Sequence, residues 1–427
     1  MTRTARRAMA PQALMATALL CAAAAQGATL KIACTGLGKE LELCREAAGA
    51  WARKSGHQVE VVTTPNDASE RLALYQQVLS SGSDKIDVFQ VEINQVGLLG
   101  NHLLDLRAYS KGVEKGHFES MLANSTVGGK LVAMPWFIDA GLLYYRRDLL
   151  EKYKQEVPQT WEQLKATAQL VQDAERKAGK DKMWGYVWQG RAYEGLTCNA
   201  LEWVASHGGG TIVDDKGKVT IGNPNTVKAL TTIAGFVGTI SPTAVLNYAE
   251  EEARGPFQNG NAVFMRNWPY AWAATQAPDS PVKDKVGVAV LPRGSGDGAR
   301  HAATLGGQAL SVSRHSKNAA LAADLVLYMT SAEVQKDRAI KGSYNPSIQE
   351  LYKDPDIRKA NPFMGSLLRT FTSAVARPTA VTGSRYNQVS SEFQNAVHEV
   401  LSKTAKPEEA VARLNTRLNQ LSRGGRW

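Results

Sequence analysis

Histidine and cysteine are scarce in this chain. Its 427 residues include seven His and four Cys, and no Cys-x-x-Cys pair. A zinc ribbon, a dithiol redox centre and a disulfide-framework scaffold are therefore excluded. His-Glu-x-x-His, Gly-x-Ser-x-Gly and Walker sequences are missing too, and with them the common signatures of zinc peptidases, α/β-hydrolases and P-loop nucleotidases. No apolar run approaches the roughly 20 residues of a membrane span. Charged residues make up 21% of the chain, which argues against a disordered or coiled-coil protein. Lys and Arg outnumber Asp and Glu by 50 to 40, a net +10. The bases are scattered and no nucleic-acid-binding motif frames them, so no nucleic-acid partner is expected.

What is present is a globular composition, 44% apolar, at a length that predicts two or three domains. The N-terminus carries Arg3, Arg6 and Arg7, then the apolar run Ala13 to Ala25, then the small-x-small site Ala25-Gln26-Gly27. Basic, apolar, small is the order of a cleaved secretory signal, here residues 1–27, and it predicts export to the periplasm. The run is too short for a membrane anchor. Removal of this leader leaves 47 basic against 40 acidic residues, a net +7. Cys34, Cys44 and Cys198 remain. An oxidising compartment permits a bridge, and proximity in sequence favours Cys34–Cys44 over two separate buried thiols. Cys198 reads as a lone buried thiol.

The first third alternates strand and helix. Leu30–Cys34, Val59–Thr63 and Ile86–Val91 read as strands. Glu40–Lys54, with Leu43, Ala47 and Trp51 at helical spacing, and Ala68–Leu79 read as helices. This order predicts a parallel α/β sheet, whose ligands bind beyond the carboxyl ends of the strands. Gly36 to Glu40 and Glu92 to Asn94 occupy such positions. Further on, Thr160 and Gln163 form a capping box that starts a helix through Arg176. Ala249–Arg254 and Leu321–Met329 read as helices.

Chemistry-bearing residues are few. Gly36-Leu37-Gly38 lacks the third glycine of a dinucleotide loop, and His207-Gly208-Gly209-Gly210 has no nucleophile elbow to serve. Glu250, Glu251 and Glu252 read as a solvated helix face rather than a glycosidase pair. The informative feature is aromatic: Trp136-Phe137-Ile138-Asp139, and Arg266-Asn267-Trp268-Pro269-Tyr270-Ala271-Trp272. Sugars offer hydroxyls to carboxylates and guanidinium groups, and C–H faces to aromatic rings.

At these segments, and at Met134–Leu150, Trp184–Trp203, Gly255–Trp272 and Ala374–Thr382, the chain resembles the extracellular solute-binding proteins of ABC sugar importers, trehalose/maltose branch. The resemblance covers nearly the whole mature chain. It implies a two-lobed periplasmic-binding-protein fold of type II, with a hinge and a central cleft. Lobe one would be 28–141 plus 303–346, and lobe two 142–302 plus 347–427. It implies that Glu40, Glu92 and Asp139 bind sugar hydroxyls, that Trp268 stacks on a ring and that Arg377 binds hydroxyls. Phe137, Tyr270, Gly307 and Gln308 complete the implied site. Three positions depart from the family pattern: Phe137 where Tyr is usual, Glu92 where Asp is usual, and Gln308 where Gly-Gly is usually followed by Trp.

The expected function is a monomeric periplasmic receptor that closes on an α-linked disaccharide and delivers it to an ABC permease, with no catalysis, cofactor or metal. A receptor for a different sugar or polyol and an exported glycoside hydrolase are the rival readings.

Overall fold

The computed structural model describes residues 1–2, 27–366, 368–372 and 374–427. The expected leader, residues 1–27, lies outside the described residues apart from its ends. In chain order the strands are β1 (Thr29–Cys34), β2 (Gln58–Thr63), β3 (Val88–Glu92), β4 (Thr126–Val127), β5 (Lys130–Leu131), β6 (Met134–Ala140), β7 (Leu142–Arg146), β8 (Trp184–Val187), β9 (Ala262–Asn267), β10 (Val286–Ala289) and β11 (Leu305–Val312). They form two main sheets, ordered β2-β1-β3-β11-β6 and β10-β7-β9-β8, and a short β4-β5 pair. Helices pack on both main sheets, which gives two α/β lobes.

Local sequence explains where the helices start and stop. Glu40–Ser55 buries Leu43, Cys44, Ala47, Ala48 and Trp51 on one stripe, carries acids at its start and bases at its end, and stops at left-handed Gly56. Trp161–Lys177 starts at the Thr160–Gln163 capping box. Cys34 at the end of β1 is bonded to Cys44 in the first helix. The bond spans the loop that leads into Glu40 and shortens its reach. Cys198 is free and buried.

β1, β2 and β3 are parallel as read from sequence. The sheet as a whole is mixed, because β11 runs antiparallel to both β3 and β6. β6 leaves the first lobe through Gly141 and continues as β7 in the second. β11 returns from the second lobe, so it enters the sheet at the end where β6 leaves and must run the opposite way. The third crossing comes later than the expected boundary at 346/347. Ile348 bridges His117, helix Pro355–Ala360 packs on Ala332–Gly342, and Asn361 donates to the Ala339 carbonyl at 2.7 Å. Residues 347–361 thus stay on the first lobe. The helix Tyr386–Leu401 packs on Glu194–Ser206 of the second.

The crossings converge on one buried ion pair. The Arg266 Nε and Nη2 donate to Glu202 Oε2 and Oε1 at 2.9 and 2.5 Å, and neither residue is exposed. Glu202 Oε1 also accepts from the Thr304 backbone N–H at 3.1 Å, on the second crossing. Gly141, on the first, lies so close that a Cβ there would sit 2.0 Å from the same oxygen. The third crossing lies beside the second: Leu305 N–H donates to the Val375 carbonyl and Val375 N–H to Ala303.

Removing one partner of such a pair strands a buried charge. Glu202→Leu should lower unfolding free energy by about 3–5 kcal/mol in a denaturant titration, and adding Arg266→Met should recover much of that loss. A cost below about 1 kcal/mol for the single variant would show that the pair is not a keystone of the hinge.

Candidate functional site

The carboxyl ends of β1 and β3, the middle of β6, the start of β11 and the loop after β9 open into one cleft between the lobes. Residues of both lobes line it. All nine ligand-site positions expected from sequence line it: Glu40, Glu92, Phe137, Asp139, Trp268, Tyr270, Gly307, Gln308 and Arg377. Their surroundings differ enough to assign different tasks.

Glu40 opens the first helix and is tied inward. Its carboxylate accepts from the Thr35 hydroxyl and from Gln90 Nε2 at 2.8 Å, with Arg338 at 3.5 Å. Burial raises its pKa, and Arg338 opposes the shift. Arg338 itself stacks on Trp136 at 3.6 Å and Tyr344 at 4.6 Å. Glu40 therefore shapes the floor of the cleft more than it offers free oxygens.

Asp139 is the opposite case. It stands across from Gly306 in the β6–β11 ladder. It is buried, and its Oδ1 has no hydrogen-bond partner among the described residues. Burial first, then the neighbouring Glu40 and Glu92 charges, push its pKa well above the usual carboxylate range. An acid so placed is ready to bond a hydroxyl in either protonation state.

Trp268 forms the platform. The Arg266 guanidinium lies 3.9 Å from its ring centroid on one side, and its Nε1 donates to Glu250 Oε1 at 3.3 Å. The Tyr144 hydroxyl fixes the loop by donating to the Trp268 carbonyl at 2.8 Å. Gly306 makes room: a Cβ there would meet the Trp268 ring at 3.0 Å. Gly307 has φ +121° and would drive a Cβ to 2.3 Å from the Phe137 carbonyl, so only glycine fits this stretch of β11. Tyr270 donates to Glu251 at 2.7 Å and lies nearly parallel to Tyr344 of the other lobe, centroids 6.5 Å apart. Phe137 packs on Tyr344 at 5.0 Å.

Arg377 is largely engaged within the protein. Its Nη1 donates to Glu194 at 2.7 Å and its Nη2 to the Leu305 carbonyl at 3.2 Å, with Glu92 at 3.9 Å. Its Nε is left without a partner among the described residues. Glu194 is a hub that also accepts from Tyr386, from Ser390 at 2.6 Å and from Asn94 at 3.4 Å.

The lobes touch around the cleft. Arg191 of the second lobe pairs with Asp67 of the first at 2.6 Å. A Cβ on Gly38 would strike Tyr270 at 2.6 Å. The arrangement is a closed one.

Residues that sequence reasoning missed share the wall: Tyr193, Glu194, Glu250 and Tyr344. Glu250 corrects the reading of 250–252 as a solvated face, since it is buried and bonded to Trp268. Burial raises its pKa, opposed by Tyr193 and Trp268. Glu194 carried a usable signal, a carboxylate opening a helix whose thirteen residues are all buried. No cluster of His, Cys, Asp and Glu with metal-holding geometry exists among the described residues.

Asp139 supplies a pH test. A folded pKa raised above 3.8 means that the folded state holds a proton which the unfolded state has released. Its cost to stability is absent below the usual carboxylate range and grows as pH rises towards the folded value. Asp139→Asn should therefore melt higher than the parent at neutral pH, with the gain vanishing towards about pH 3. A gain that does not change with pH would contradict this.

The model of the bacterial extracellular solute-binding protein family matches residues 41–336. A probable ABC transporter-binding protein of Deinococcus radiodurans is 51% identical over 412 residues, covering 96% of this chain and 97% of that one. The maltose-bound MalE3 of T. maritima is 38% identical, with a TM-score of 0.88 over 92% of this chain and 100% of that chain. The GacH receptor of Streptomyces glaucescens, solved unliganded and with acarbose, is 24% identical and has the same fold, with a TM-score of 0.81 over 92% and 98% of the two chains. With a family match across most of its length, a relative identical at half its positions and two lobes meeting at one polar, aromatic cleft, this chain belongs to the bacterial extracellular solute-binding proteins.

Proposed function

We propose that the protein is the sugar receptor of an ABC importer, exported to the periplasm, which closes on an α-linked disaccharide of the maltose or trehalose type and presents it to a membrane permease. The observation that carries this reading is Trp268, a ring platform flanked by two carboxyls, Asp139 and Glu250, in a cleft built from both lobes. An aromatic face beside unsatisfied acceptors suits a ligand with C–H faces and many hydroxyls. The maltose-bound relative at 38% identity supports the sugar class. Asp139, Glu92, Gln308 and the Arg377 Nε take hydroxyls. Trp268 stacks, Phe137 and Tyr270 close the apolar side, and Gly306-Gly307 let backbone and ring approach. Ligand contacts with both lobes favour the closed state.

In this reading Glu40 and Glu92 are structural anchors as much as ligands, since each is already paired. Such carboxylates are poor candidates for the acid and base of a hydrolase.

Melting the protein against a panel of maltose, trehalose, glucose and polyols tests the reading, because a ligand that binds the folded state alone raises the melting temperature. A disaccharide should give the largest rise and should be recovered intact. Trp268→Ala should remove most of that response. Release of free glucose, or a flat response to every sugar, would overturn the proposal.

A further inference from the structure

Two of the three departures from the family pattern, Glu92 and Gln308, are partners in this structure. They face each other across the β3–β11 ladder, and Gln308 Nε2 donates to Glu92 Oε1 at 2.6 Å. The same oxygen accepts from Arg71 Nη2 at 2.8 Å. Arg71 is buried beneath, held by the Pro65 and Asn66 carbonyls at 2.9 and 3.0 Å.

This chain of contacts fixes the polarity of an amide. A carboxylate paired with a guanidinium offers lone pairs and no proton, so the NH2 of Gln308 must face it. The carbonyl must then face away. Gln308 is 5% exposed, it lines the cleft, and its Oε1 has no partner among the described residues. The strand register shifts between Gln308 and Ala309, the kind of irregularity that re-aims a side chain. Asp139 Oδ1, on the neighbouring strand of this sheet, is a second unpartnered buried acceptor in the cleft.

We infer that Gln308 is a specificity-determining residue: an obligate acceptor, locked by Glu92 and positioned by Arg71, that demands a hydroxyl donor from the ligand. The inference rests on the sugar-receptor reading and narrows it. An indole in this place would accept any apolar ring face. The locked carbonyl instead rejects a ligand that brings a deoxy carbon, an ether or a carboxylate to that point, since the buried acceptor is then left unpaired. Arg71 does not line the cleft. Its part is to hold Glu92, and through it the amide, in one orientation.

The test is calorimetric titration of the full chain with maltose and trehalose and with their monodeoxy analogues. For the better-bound sugar, one deoxy position should bind the parent protein about tenfold to a hundredfold more weakly than the sugar itself. In Gln308→Met, of nearly the same size, that gap should close to within about threefold, while gaps at other hydroxyls persist. Glu92→Gln frees the amide to turn and should narrow the same gap. Arg71→Met should narrow it too, because Glu92 and the amide it holds are then no longer fixed in one orientation. Melting curves of each variant report folding, so any one folded variant decides the matter. If sugars bind but every gap survives in the variants, Gln308 does not read a hydroxyl and only this inference falls. If neither sugar binds the parent protein, the sugar-receptor reading falls and takes this one with it.

Discussion

Arg266 and Glu202 meet without exposed surface at the point where the chain passes from lobe to lobe. Two buried charges cost several kcal/mol each to desolvate, so the pair persists only with its partners in place. Those partners are hinge and site together. Glu202 holds the Thr304 amide and abuts Gly141, while the Arg266 guanidinium lies under Trp268 and reaches Gln189 at 3.2 Å. The platform on which a ligand ring rests is thus backed by the ion pair around which the lobes are joined.

The cleft sorts its carboxylates by partner. Glu40, Glu92 and Glu194 each have a guanidinium within 3.5 Å, from Arg338, Arg71 and Arg377. Asp139 and Glu250 have no such partner among the described residues, and burial raises both of their pKa values. The paired acids set geometry: Glu40 the floor, Glu92 the orientation of Gln308, Glu194 the position of Arg377. The unpaired ones flank Trp268, where a ligand has most to offer them.

Much of this was legible in the chain itself, and the reasons are local. β1 and the two helices after it follow from apolar spacing, and the Thr160 cap from a four-residue pattern. The implied site residues fall in one cleft because sheet ends gather there. What stayed hidden depends on rotation and distance. Glu250, Glu251 and Glu252 look alike in sequence, yet successive helical residues turn by about 100°. Glu250 faces Trp268, Glu251 meets Tyr270 and Arg254, and Glu252 caps the Ala249 amide. Arg71 and Tyr344 reach the cleft region from elements far apart in sequence. The antiparallel course of β11 and the late third crossing also arise from how the chain returns between lobes, which no local pattern records.

A crystal structure of the protein soaked or grown with maltose or trehalose tests the central claim most directly. The account predicts one sugar ring on the free face of Trp268, with hydroxyls on Asp139 Oδ1 and Gln308 Oε1, between lobes still joined by Arg191 and Asp67. A sugar bound elsewhere on the surface, with Trp268 and Asp139 untouched, would contradict it.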